Sequence, residues 1–195
     1  MFDYSEKEIV MGRVTIDIEN LREIVLLSED KVWGITSLSK KAGKTFVARQ
    51  LVESLSKAGK KVVYLSFQKE SGEETRNFLE KELKNAESVS GLVKNVVLKD
   101  ALHLEEIVYS EKFTQLVAEY KKEYDYVIMD MMSMEENSIA KKIASVCENN
   151  FIVVVKDCEN GEAVGKMVHQ LKALNISMAG VVLNEYHEKK KWLRM

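Results

Sequence analysis

The sequence predicts an α/β fold with three layers, in which a mostly parallel β-sheet has helices packed on both faces. Two observations support this prediction. Short runs of almost uniformly apolar residues, typical of strands buried on both faces, recur along the chain. Between them lie segments whose apolar residues repeat at the three- or four-residue spacing of an amphipathic helix. The predicted strands are 32–36, 62–65, 95–98, 126–130, 151–155 and 179–183.

The clearest βαβ unit occupies 32–65. Its helix carries Val47, Leu51 and Leu55 on one face and ends near Gly59, a residue type that readily terminates helices. A strand, a helix and a second strand in this order indicate two parallel strands joined by a right-handed crossover. The other predicted helices are 18–27, 71–85, a helix that begins after an N-capping Ser110, 135–148 and 161–174.

Length and composition indicate one globular domain, 1–195, with an N-terminal helical segment, 1–30, and a basic C-terminal tail, 186–195. Hydrophobic residues make up 46% of the 195 residues and charged residues 31%, which is ordinary for a soluble domain. The formal net charge of −2 supplies no broad basic field, so we expect no nucleic-acid partner. The apolar runs are too short to cross a bilayer and no signal peptide is visible, so we expect a cytoplasmic protein.

A phosphate-binding motif follows the first predicted strand. Gly43, Lys44 and Thr45 stand between that strand and the next helix, where such a triplet forms the second half of a phosphate-binding loop. Glycine lets backbone amides approach phosphate oxygens, lysine supplies positive charge, and threonine offers a hydroxyl to Mg²⁺. The first half is irregular, because Leu38 occupies the position of the motif's first glycine. The predicted nucleotide-binding residues are Ala42, Gly43, Lys44, Thr45 and Phe46.

Asp130 ends the predicted strand 126–130. The carboxyl ends of parallel strands lie at one edge of a sheet, so this carboxylate is expected beside the phosphate-binding loop. There it can hold Mg²⁺ together with Thr45. The alternative is that Asp130 only caps the turn that follows the strand. In the first interpretation Lys44 and Asp130 are the candidate catalytic residues.

These residues resemble the cytosolic bacterial tyrosine kinases of capsule and exopolysaccharide operons, which are relatives of the MinD/ParA P-loop ATPases. The resemblance is carried by 35–62, by 109–130 and by 179–184. It implies ATP or ADP and Mg²⁺ as ligands, with Asn184 facing the nucleotide base. It also implies a membrane-embedded polysaccharide co-polymerase or activator as a partner, homo-oligomers, and a place at the inner face of the membrane through that partner.

The sequence departs from this family where the family carries two aspartates after the second strand. Ser66 and Gln68 stand there, and Glu70 is the nearest carboxylate. The C-terminal tyrosine cluster of the family is also missing, since Tyr186 is the only tyrosine past Tyr126. The resemblance therefore implies a degenerate member, and whether it is an enzyme stays open; an active form would be a protein-tyrosine kinase or ATPase.

Two alternatives remain. The first is a non-catalytic nucleotide switch, or a scaffold for the membrane co-polymerase, which the missing carboxylates favour. The second is a MinD/ParA-like positioning ATPase. This second alternative is weaker, because Ser39 occupies the position where those proteins carry their signature lysine.

Overall fold

The computed structural model describes residues 18–67, 92–98, 104–135, 138–155 and 161–184. These residues form a six-stranded sheet and six helices. The strands are β1 (Val32–Ser37), β2 (Val62–Phe67), β3 (Val93–Leu98), β4 (Tyr126–Asp130), β5 (Asn149–Val155) and β6 (Gly180–Asn184). The helices are α1 (Ile18–Leu27), α2 (Lys44–Lys57), α3 (Leu104–Tyr109), α4 (Glu111–Glu123), α5 (Ser138–Val146) and α6 (Gly161–Ala173).

The strand order is β3-β2-β4-β1-β5-β6, and every neighbouring pair is parallel. All carboxyl ends therefore lie at one edge of the sheet, where α/β proteins bind their ligands. β1 lies between β4 and β5, so the loop that follows β1 leaves from the centre of this edge. Asp130 of β4 is in register with Ile35 of β1 on one side and with Ser66 of β2 on the other.

Two apolar layers cover the sheet, which confirms the predicted three-layer α/β fold. Successive side chains of a strand point to opposite faces, and β1 shows this alternation, with Val32 in one layer and Trp33 in the other. Helices α1 and α2 pack on the face of Trp33, and α3 to α6 pack on the opposite face. On the first face Trp33 stacks on Phe151, with ring centroids 5.2 Å apart.

The predicted strands and helices that lie within the described residues are confirmed with small shifts of their ends. Ser110 caps α4 as predicted, since its hydroxyl accepts a hydrogen bond from the Phe113 amide at 3.3 Å. Helix α3 was not predicted from the sequence. The predicted helix 71–85, the tail 186–195 and the first 17 residues of the N-terminal segment lie outside the described residues. None of the described helices combines the length and the apolar character that crossing a bilayer needs.

The predicted helix 135–148 is shorter at both ends. The helix is described from Ser138, and the amides of Met134 and Glu135 bond to the carbonyls of Ser37 and Leu38, at 2.9 and 3.3 Å. Its last predicted residue, Glu148, leaves the helix because its amide donates to the Val32 carbonyl at 2.9 Å. The contact with β1 therefore sets the C-terminal end of α5.

The Glu148 carboxylate ties three elements together. It accepts hydrogen bonds from the amides of Lys31 and Val32, at 2.6 and 3.0 Å, and pairs with Lys121 of α4. Partial burial by itself raises the pKa of this carboxyl, but the bonds from Lys121 and the two amides outweigh burial and hold the pKa below its ordinary value. The ionised form is thus favoured in the folded protein.

Replacing Glu148 should make the stability less dependent on pH. A carboxyl with a lowered pKa in the folded state stabilises the fold above its unfolded pKa, and this contribution is lost as pH falls through the folded pKa. We expect Glu148→Gln to lose about 1–2 kcal/mol of unfolding free energy at about pH 7. The difference from the unmodified protein should shrink towards about pH 3.

Urea unfolding at several pH values measures this difference. Glu53→Gln is the matched control, because Glu53 forms an exposed helical ion pair with Lys57 that is worth at most about 0.5 kcal/mol. A Glu148→Gln difference that stays constant with pH would mean that the charge of Glu148 contributes nothing.

Candidate nucleotide-binding site

The loop between β1 and α2 contains two residues in the left-handed conformation, Lys41 with φ 59° and Gly43 with φ 89°. The left-handed conformation at Gly43 suits glycine, and there is also no room for a larger residue at this position. A Cβ atom there would lie 2.2 Å from Nδ2 of Asn184. Lys41 adopts its conformation without that freedom, which costs about 1–2 kcal/mol. The loop is therefore held in a demanding backbone shape.

The N-terminus of α2 faces the end of this loop. Gly43 occupies the N-cap position and provides no side-chain hydrogen bond. The amides of the first helical turn have no partner within the helix, and the helix dipole adds positive charge there. Lys44 and Thr45 begin the helix, and Phe46 follows with 58% of its surface exposed. This arrangement suits an anion such as a phosphate group.

Asn184, at the carboxyl end of β6, holds the loop from the other side. Its side chain is only 7% exposed, and its Nδ2 donates a hydrogen bond of 2.8 Å to the carbonyl of Ala42. Sequence reasoning brought Asn184 to this site but missed the bond to the loop. A contact between Asn184 and the base stays a prediction.

Asp130 is 3% exposed and lies at the end of β4, beside Ser66 in the sheet register. Its Oδ2 accepts a hydrogen bond of 2.8 Å from the Tyr64 hydroxyl, whereas Oδ1 has no hydrogen-bond partner. Burial raises the pKa of Asp130, opposed by hydrogen bonds from Tyr64 and Thr45 and by the positive charges of Lys44 and Arg49. The structure thus brings Lys44, Thr45 and Asp130 together, and their roles towards phosphate and Mg²⁺ stay predictions.

The oxygen atoms around Asp130 are of the kind that Mg²⁺ prefers. Magnesium is commonly bound through one or two carboxylates together with substrate phosphates. Oδ1 of Asp130 is buried and unpaired, as is the hydroxyl of Ser66 beside it. Among the described residues, no group of three histidine, cysteine or acidic side chains could hold a metal without further ligands. The residues fit a magnesium ion that arrives with a nucleotide.

Tyr64 and Arg49 are the site residues that sequence reasoning missed. Arg49 follows Thr45, a predicted site residue, by four positions on α2, so the two share a face. Tyr64 precedes Ser66 by two positions on β2 and shares its face, and Ser66 stands where the resembling family carries an aspartate. This spacing is the signal that could have identified them. The Nε and Nη2 atoms of Arg49 are buried without hydrogen-bond partners. Gln68 and Glu70 lie outside the described residues.

No protein-family model matches the sequence, and no curated protein matches it. Solved structures do match. The kinase domain of Escherichia coli tyrosine kinase ETK aligns with a TM-score of 0.71 at 18% identity, covering 91% of this chain and 76% of that one. The chimerical protein CapA2B2 aligns with a TM-score of 0.71 at 21% identity, covering 92% and 88%.

A third structure, the septum site-determining protein MinD from Pyrococcus horikoshii OT3 complexed with Mg-ADP, aligns with a TM-score of 0.58 at 17% identity. The alignment covers 82% of this chain and 72% of that one. The chain therefore has the fold of the P-loop ATPases. The resemblance to tyrosine kinase domains and MinD-like ATPases that the sequence suggested is confirmed at the level of the fold.

Proposed function

We propose that this protein binds ATP or ADP together with Mg²⁺ at the loop between β1 and α2. The observation that carries the proposal is the convergence of three groups at one edge of the sheet. These are the uncapped N-terminus of α2, the glycine-dependent loop held by Asn184, and a buried Asp130 with an unpaired oxygen. The fold shared with a MinD structure that contains Mg-ADP supports it.

Each residue has a definite part in this proposal. The amides of 42–46 and the Lys44 ammonium bind the phosphates, and Asn184 faces the base. Thr45 and Asp130 hold Mg²⁺, which neutralises phosphate charge when it is bound. Lys44 is placed for this because it begins α2, where the helix dipole also favours an anion.

Lys44→Ala tests the nucleotide proposal. A charge-assisted hydrogen bond contributes about 1.5–3 kcal/mol, so the variant should bind ATP roughly ten- to a hundredfold more weakly. Isothermal titration calorimetry measures the affinity. Lys57→Ala is the matched control, because Lys57 lies at the far end of the same helix and is exposed. No binding of millimolar ATP by the unmodified protein, or an equal loss in both variants, would refute the proposal.

We further propose a role in capsule or exopolysaccharide assembly or its regulation, with phosphoryl transfer reduced or lost. The similarity in fold to tyrosine kinase domains supports a kinase-like ancestry. Ser66, and not a carboxylate, lies beside Asp130, which supports the proposal that catalysis is reduced. A membrane-embedded polysaccharide co-polymerase is the partner we propose, which would bring the protein to the inner face of the membrane. Co-purification with such a partner from the same operon, with and without ATP, tests this role.

A non-catalytic switch is the second candidate. The buried Ser66 hydroxyl lies next to Asp130 where a second carboxylate would be needed, which favours binding without turnover. A hydrolysis assay on protein shown to bind ATP separates the two candidates, because a switch of this kind releases no phosphate.

A further inference from the structure

Tyr64 is a buried tyrosine, with 2% of its surface exposed. It lies on β2, on the face of the sheet that α2 covers. A buried phenol usually finds a hydrogen-bond partner, and the partner here is the buried carboxylate of Asp130, at 2.8 Å. The bond joins a residue of no assigned role to the carboxylate proposed to hold Mg²⁺.

This bond makes the two carboxylate oxygens of Asp130 different. Oδ2 is occupied by Tyr64, whereas Oδ1 is buried and has no partner. A carboxylate fixed in this way can offer a cation one oxygen, and its rotation is restricted. Groups that hydrogen-bond to metal ligands orient those ligands in the same manner. Removing such a group typically weakens metal binding by about 10–100-fold.

The other polar groups near Asp130 do not fix its orientation in the way that Tyr64 does. Lys44 and Arg49 act on Asp130 through their charge, and the Thr45 hydroxyl lies near it. All three belong to α2, and none donates a hydrogen bond to Oδ1. Tyr64 comes from the sheet and donates its hydrogen bond to Oδ2, so it restrains the orientation of Asp130 from a different element of the fold.

We propose that Tyr64 is a positioning residue of the magnesium site, which holds Asp130 so that Oδ1 alone is presented to the nucleotide-bound cation. This inference rests on the proposed function. It predicts that Tyr64 contributes to the gain in nucleotide affinity that Mg²⁺ provides and does not affect the affinity measured without Mg²⁺.

The test is the affinity for ADP with Mg²⁺ and with EDTA, by calorimetry, in the unmodified protein and in Tyr64→Phe. The unmodified protein should bind ADP at least about tenfold more tightly with Mg²⁺, and Tyr64→Phe should reduce this ratio by about tenfold. The affinity in EDTA should change less than about twofold. Tyr126→Phe is the control, because Tyr126 is buried on the same face but begins β4, at the other end of the strand from Asp130.

A second variant separates positioning from general damage. Asp130→Asn should abolish the magnesium effect, and adding Tyr64→Phe to it should then change the ratio no further, since both changes act through one carboxylate. If Asp130→Asn keeps part of the magnesium effect, a further loss of the same size on adding Tyr64→Phe would refute the proposal. So would an unchanged ratio in Tyr64→Phe, or a ratio near one in the unmodified protein.

If Tyr64→Phe does not fold, the unmodified protein labelled with ¹³C at tyrosine Cζ provides the measurement. Adding Mg²⁺ to the ADP complex should shift the Tyr64 signal, identified by removing the other tyrosines one at a time, because metal at Oδ1 changes the electron density at Oδ2. An unmoved Tyr64 signal would overturn the inference alone. A protein that binds no ADP would overturn the proposed function and with it this inference.

Discussion

Ser66→Asp combined with Gln68→Asp should raise ATP hydrolysis by a factor on the order of 10²–10⁴, the range of one general base. The unmodified protein should hydrolyse ATP and phosphorylate tyrosine negligibly even when nucleotide is bound. Phosphoryl transfer depends on positioning and on stabilisation of charge, and Ser66 offers a hydroxyl beside Asp130 where a carboxylate would serve both. Phosphate release under saturating ATP and Mg²⁺ measures the rate.

Ser66→Asn with Gln68→Asn is the matched control, because asparagine has nearly the volume of aspartate without its charge, and it should produce no gain. Rapid turnover by the unmodified protein would contradict the degenerate-enzyme proposal, and Glu70 would become the first candidate for the substitute carboxylate. No gain in the acidic double variant would place a further defect in the irregular half of the loop, Leu38 to Lys41.

Phe151→Ala should destabilise the protein by about 3–5 kcal/mol, the usual loss for a buried phenylalanine. Phe151 is 1% exposed, stacks on Trp33, and is in register with Ile35 of the central strand. Since a domain has about 5–15 kcal/mol of unfolding free energy in total, much of the stability should be lost. Guanidinium unfolding measures the change.

Leu174→Ala is the control, because this leucine is 55% exposed and should lose less than about 0.5 kcal/mol. Equal effects of the two substitutions would mean that the packing of Trp33 and Phe151 contributes little. Nucleotide affinity measured on the folded fraction of Phe151→Ala tells whether this packing also supports the loop after β1.

The strands could be predicted because burial on both faces leaves a direct record in the sequence. A run such as 151–155 is apolar at every position, and the structure places it inside the sheet. The βαβ unit was equally visible, because Gly59 and the apolar face of α2 mark the helix between two such runs. Helix α3 was missed because its six residues are too few to show a period.

The candidate site divides in the same way. Gly43, Lys44 and Thr45 are adjacent, so a local motif predicted them, and Asp130 was predicted from its position at a strand end. The bond between Tyr64 and Asp130 joins residues 66 positions apart and leaves no local pattern. It depends on the register of β2 against β4, which single-sequence reasoning does not provide.

The bond from Asn184 to Ala42 spans 142 positions of the chain, and this has a consequence for folding. The loop comes from the first strand, but the side chain that holds it arrives with β6, the last described strand and an edge of the sheet. During synthesis the loop therefore cannot form this bond until most of the chain has been made, and contacts of such long range form slowly. Nucleotide affinity should consequently appear late in refolding, after the helices and the central strands, which makes a fluorescent nucleotide a specific reporter of the docking of β6.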